Sequence, residues 1–185
     1  AGDLTRLAYV VRDPESQLYL ATQEEDEPEA IGDAVYRIVD YGFFTGGHDL
    51  YYLVQEASGE GGQLYLAGQD ESLADDVAFS DVTPDGQHLV YLVWDGGDEQ
   101  SLHVYNLADD SSDTVLEGEM LAYSVLDTSA PMLLAAAVAY DEMTLYQIDL
   151  DSGQADEVLD LTDLSFTASY ASGWPLATIT STDRD

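Results

Sequence analysis

The chain has 185 residues, 45% of them apolar, which suits about one domain with a packed core. Its charge is extreme: 38 Asp and Glu stand against Arg6, Arg12, Arg37 and Arg184, with no lysine, for a formal net charge of −34. Such a surface repels phosphate and anionic lipid, which excludes nucleic-acid binding and docking on anionic membranes. With no cysteine there can be no disulfides, thiolate metal sites or cysteine nucleophiles.

Read from the N-terminus, the chain repeats itself. A first kind of run, apolar on nearly every residue, occurs at 7–11 (LAYVV), 50–54 (LYYLV), 89–93 (LVYLV), 133–137 (LLAAA) and 176–180 (LATIT). The starts are 43, 39, 44 and 43 residues apart, and a fixed period in this range marks a repeat architecture. A second kind follows the first four, at 17–21 (QLYLA), 63–67 (QLYLA), 101–105 (SLHVY) and 144–148 (TLYQI). A third, short and acidic, lies at 29–31, 72–74, 113–116 and 156–159, and a fourth at 34–38, 77–80, 121–124 and 164–167. Turn chemistry separates them, for example Pro84-Asp85-Gly86 and Asp151-Ser152-Gly153.

Each unit thus holds four short strands rich in Val, Leu, Tyr and Phe. The first kind is predicted to be buried on both faces. The acidic third kind suits an exposed outer edge, where charge prevents pairing with other molecules. Ala-rich 133–137 would favour a helix on propensity alone, but the register places it where the other copies are strands. The fold expected is all-β: a β-propeller of four-stranded antiparallel blades with a period of about 42 residues. Blades are predicted at roughly 34–76, 77–118 and 119–161, with partial ones at 1–33 and 162–185. Five runs of the first kind against four of each other kind make a piece of a larger propeller the preferred reading.

Residues 78–91 (AFSDVTPDGQHLVY) resemble the blade repeat of TolB-type, WD-like β-propellers, with the tail 104–109 (VYNLAD) and again 146–153 (YQIDLDSG). The match is good over 77–118, fair in the next unit and weak in the first two, and Val82 and Thr83 depart from the family's compact turn. The resemblance implies a scaffold and supplies no site, since propellers host unrelated functions.

Candidate sites follow from chemistry. The clusters at 24–27, 75–76, 109–113 and 149–153 offer the hard oxygens that Ca²⁺ prefers, and Asp109, Asp110, Asp113, Asp149 and Asp151 are the candidate metal ligands. The last cluster opens like a calcium loop, but its twelfth position is Asp160, not a bidentate Glu. His48 and His88 occupy nearly equivalent turn positions in adjacent units, where they could share one rim; their spacing fits no zinc motif. Trp94 and Trp174, at strand ends near loops, complete the candidate ligand-binding set. Tyr9, Tyr52, Tyr91 and Tyr123 are expected to pack between blades. No nucleophile elbow, phosphate loop or dinucleotide fingerprint occurs, and carboxylates are too abundant for any pair to signal glycoside hydrolysis.

The function expected is therefore non-catalytic: a binding and scaffolding module that recognises a protein, peptide or glycan through propeller loops, with Ca²⁺ as the one ion its chemistry suggests. The alternatives are the propeller portion of a prolyl-oligopeptidase-like hydrolase and a structural subunit of an extracellular assembly, joined by homo-assembly or by further blades. The absence of Cys and an opening Ala1 in place of Met fit a processed chain at an extracellular, periplasmic or cell-surface location. The longest apolar run, 131–140, is about half a membrane span. The acidity has two readings, a halophilic surface or a cation-binding one.

Overall fold

The computed structural model describes residues 6–23, 27–44, 50–55, 61–94, 96–126, 131–139, 142–162, 165–171 and 174–180, the last part (161 onward) as backbone only. Sixteen strands occur among them: β1 (Arg6–Arg12), β2 (Ser16–Thr22), β3 (Glu29–Val35), β4 (Arg37–Phe43), β5 (Leu50–Gln55), β6 (Gly62–Leu66), β7 (Ala74–Val82), β8 (His88–Val93), β9 (Gln100–Asn106), β10 (Ser111–Gly118), β11 (Met120–Val125), β12 (Met132–Ala139), β13 (Glu142–Asp149), β14 (Ala155–Thr162), β15 (Ser165–Ala171) and β16 (Trp174–Thr180). No helix is present among the described residues. The Ala-rich run is strand β12, paired in register on both sides, Ala135 facing Tyr123 and Tyr146.

Pairing is antiparallel throughout, in the orders β1-β2-β3, β4 to β10 as one continuous sheet, β11-β12-β13-β14, and β15-β16. The seven-stranded sheet is two blades sharing a strand. The end of the acidic 72–74 run, Ala74, and the 77–80 run, read from sequence as separate strands, join in β7. Its first half pairs with β6 (Ala74 with Leu64) and its second with β8 (Val82 with Leu89). A register shift between Val77 and Phe79 supplies the local twist that lets one strand serve both blades. Elsewhere the same passage is broken by a bend, at Tyr36 before β4 and at Glu119 before β11. The expected 34–38 strand is therefore split between β3 and β4.

Burial follows the grading expected of blades. β5 and β8 are buried on both faces, whereas half of acidic β10 is exposed. β1 departs from this: Leu7 and Val11 are exposed, because β1 pairs with β2 alone. The core is divided into clusters lying between successive blades. One joins Leu18 to Ile38, Leu50, Tyr52 and Val54; another joins Leu53 and Leu64 to Leu89, Tyr91 and Tyr105. A third joins Val90, Leu102 and Val104 to Leu121, Leu133 and Ile148. Each blade is thus half of two cores, and its position is set by its neighbours.

Candidate functional site

Antiparallel alternation sorts the loops onto two rims. One carries the β7–β8, β9–β10 and β13–β14 connections, and with them Asp85, His88, Asp109, Asp110, Asp149 and Asp151. The β8–β9 connection, with Trp94, lies on the opposite rim. Trp94 is half-exposed and pinned to its own loop, its Nε1–H donating to the Gly97 carbonyl at 2.8 Å. It does not join the other candidates. Trp174 opens β16, and only its backbone is described. His48 and residues 24–26 lie outside the described residues.

On the first rim the sequence builds two tight turns. Between β7 and β8 the Thr83 hydroxyl donates to Asp85 Oδ1 at 2.6 Å and accepts the His88 amide at 3.1 Å, while Gly86 takes a left-handed φ of 65°. Asp85 Oδ1 also accepts the Gln87 amide. Burial would raise its pKa, but these hydrogen bonds and His88 outweigh that and hold the carboxyl below its usual range. Between β13 and β14, Asp149 Oδ1 accepts both the amide (2.9 Å) and the hydroxyl (2.8 Å) of Ser152, and Gly153 closes the turn at φ 67°. Those bonds, the hydroxyl's above all, lower the Asp149 pKa.

The five carboxylates expected to bind metal therefore divide. Asp149 is bonded into its turn, Asp110 accepts the Tyr105 hydroxyl at 2.7 Å, and Asp109 accepts that of Ser111 at 2.7 Å. Asp109, Asp113 and Asp151 line one groove between neighbouring blades, floored by Val104, Val115 and Leu150. Among the described residues no three His, Asp or Glu side chains converge as a metal ligand set. The groove presents an acidic surface between the two blades.

His88 is the exceptional residue on this rim. Its side chain is 3% exposed, and both ring nitrogens lack a hydrogen-bond partner. Nε2 stands 3.6 Å from Asp151 Oδ1, which belongs to the next blade, and Nδ1 stands 4.0 Å from Asp85 Oδ1. Two candidates singled out separately in the sequence are thus brought together across a blade seam. His103 is different: it stacks on Tyr91 with centroids 5.1 Å apart and is bonded to Ser101 and Thr114. Burial pushes its pKa down.

A second polar cluster was not singled out from sequence. It lies where β4, β7 and β11, the first strands of successive blades, approach one another. Asp40 Oδ2 accepts the Tyr51 hydroxyl at 3.0 Å and, across the seam, the Ser80 hydroxyl at 2.9 Å. Asp81, next along β7, faces the Tyr123 hydroxyl; desolvation and the nearby Asp40 raise its pKa against the lowering effect of that hydroxyl. Burial and the carboxylates push Tyr51 and Tyr123 well up. Gly42 makes room for this arrangement, since a Cβ there would come within 2.9 Å of the Tyr51 ring. The available signal was an Asp just beyond the fourth-kind run in two successive units, Asp40 after 34–38 and Asp81 after 77–80.

No family model matches the sequence, and no curated protein matches it. Solved structures do. The β-propeller domain of the Trilobed protease from Pyrococcus furiosus is 16% identical with a TM-score of 0.51, covering 70% of this chain and 44% of that one. A puromycin-hydrolyzing peptidase from Mycobacterium tuberculosis is 15% identical, TM-score 0.53, over 90% of this chain and 31% of its own. A TolB structure from Agrobacterium tumefaciens is 15% identical, TM-score 0.48, over 85% and 62%. The chain thus spans less than half of the Pyrococcus propeller domain that it matches.

Proposed function

We infer the function from the β-propeller fold that the chain shares with the solved structures of TM-score above 0.5. We propose that the chain is a non-catalytic binding and scaffolding module that recognises a protein, peptide or glycan through the loops of the acidic rim, at a location outside the cytoplasm. The observation that carries this reading is the inter-blade groove, where Asp109, Asp113 and Asp151 border an apolar floor. Carboxylates beside apolar surface suit a ligand with basic and apolar groups, and the acidic field speeds its encounter. The test is a titration of the chain with an arginine-rich peptide, a neutral peptide of equal length and a neutral oligosaccharide, at low and high salt. Binding of any of the three that falls at least tenfold in the triple variant Asp109→Asn, Asp113→Asn, Asp151→Asn supports the groove. Binding that the variant leaves unchanged, or none at all, refutes it.

A second reading is favoured by the likeness to protease and peptidase propellers: the chain is the propeller portion of a larger hydrolase. A catalytic hydrolase domain in the same parent reading frame would support it.

A further inference from the structure

We propose that the chain associates head to tail with a second copy of itself: the open face of the first sheet docks on the open face of the second copy's β11–β14 blade, as one more inter-blade seam. The first-kind runs align residue for residue. Leu7, Tyr9 and Val11 correspond to Leu50, Tyr52 and Val54, and again to Leu89, Tyr91 and Val93. In those two later runs the residues pack against the preceding blade, inside the clusters described above. The cross-strand ring pair recurs too. Tyr52 stacks on Tyr65 and Tyr91 on His103, with centroids 5.2 and 5.1 Å apart, and Tyr9 stacks on Tyr19 at 5.6 Å. The first sheet therefore carries the whole face that elsewhere receives a preceding blade, yet Leu7 is 61% exposed where Leu50 and Leu89 are 3% and 0%. Its other face, with Ala8 and Val10, already packs in a seam.

The complementary half of a seam is open on β14. On β10, Val115 and Leu116 pack in the cluster that reaches across to Leu121 and Leu133 of the following blade. Val158 and Leu159 are their equivalents on β14, at the same irregularity in the strand register: pairing passes over Val115 between Thr114 and Leu116, and over Val158 between Glu157 and Leu159. Val115 is 9% exposed and Val158 57%. Charge favours bringing the two open faces together. β1 carries Arg6 and Arg12 and is the one strand of the sixteen with a net positive charge, whereas β14 sets Asp156, Glu157 and Asp160 beside its exposed apolar pair. In a chain of net charge −34, β1 is where another acidic copy meets attraction instead of repulsion. Apolar patches rimmed by charge mark interaction sites, and this chain holds both halves of the contact. The contact is heterologous, so it adds copies until the assembly closes.

The test is sedimentation velocity of the full chain over a concentration series, in high NaCl to screen the net repulsion between copies. Leu7→Thr with Val11→Thr blunts one face, and Val158→Thr with Leu159→Thr the other. All four side chains are exposed and threonine suits a strand, so both double variants keep the wild-type urea midpoint. Expected are concentration-dependent association of the wild type and association at least tenfold weaker in either double variant alone. An equimolar mixture of the two variants pairs with wild-type affinity and stops at a dimer, because one intact face of each kind remains. A wild type that stays monomeric, which would mean that something other than a second copy covers these faces, overturns the proposal. So does association unchanged in either double variant, or a mixture that fails to pair.

Discussion

Shortening Leu102 to alanine tests whether the blades are held by shared cores. Leu102 is fully buried on β9, hydrogen-bonded through its strand to β8 on one side and β10 on the other. Its side chain belongs to the cluster that joins β8–β10 to β11–β13. The substitution removes three carbons from a site whose walls are paired strands with little freedom to collapse. The loss belongs in the upper part of the range for such changes, about 3–4 kcal/mol. For a domain of this size that corresponds to a fall in Tm of roughly 6–16 °C. Leu134→Ala, the same chemistry on the exposed face of β12, should cost about 1 kcal/mol or less. Urea unfolding in high NaCl, followed by far-ultraviolet circular dichroism and by Trp94 and Trp174 fluorescence, measures both variants. Losses of similar size at the two positions, or a Leu102→Ala loss below about 1 kcal/mol, would refute the shared-core account.

Three further outcomes follow from the polar cluster and its glycine. Tyr51→Phe deletes a hydrogen bond to the Asp40 carboxylate and should cost about 1–2 kcal/mol in urea unfolding; no change would mean that Ser80 alone satisfies Asp40. Gly42→Ala forces a Cβ against the Tyr51 ring and should cost about 1–3 kcal/mol, and Tyr51→Phe should not relieve it, since the nearest atom is a ring carbon. Asp81 has a folded pKa raised mainly by desolvation, so its favourable contribution is present below the unfolded pKa and is lost as pH rises through the folded value. Asp81→Asn should therefore stabilise the chain at pH 7 relative to wild type and lose that advantage near pH 3. An equal difference at both pH values, by urea midpoint, would contradict the assignment.

The sequence disclosed the architecture because each blade repeats the same physical problem. Strands with two neighbours and two covered faces must be apolar throughout, as 50–54 and 89–93 are, while an outer strand can be acidic, as β10 is. That periodic contrast outweighed the helix preference of the alanines in β12. What pattern could not disclose was where one strand passes into the next blade. The fusion of 72–74 with 77–80 into β7 depends on a register shift at Val77 and Phe79, and a bulge leaves no trace in hydrophobic alternation. The exposure of Leu7 and Val11 depends likewise on which strand β1 has for a neighbour.

The site was legible in its parts but not in its assembly. Asp149, Asp151 and Gly153 announce a turn, and Asp109 and Asp113 announce exposed acid; chemistry alone invites calcium at both. Which carboxylates remain available is decided by hydrogen bonds within the turns: Ser152 occupies Asp149, and Tyr105 occupies Asp110. Which residues meet is decided by the stacking of blades, which sets Asp151 against His88 although 63 positions separate them in the chain. Stacking also sets Ser80 against Asp40, 40 positions away. Both pairs bridge neighbouring blades, with Asp40 inside its seam and Asp151 exposed at the rim. In a chain so negatively charged, such seams are where repulsion between blades costs most, and each has a different answer: hydroxyl donors around Asp40, and the His88 imidazole beside Asp151.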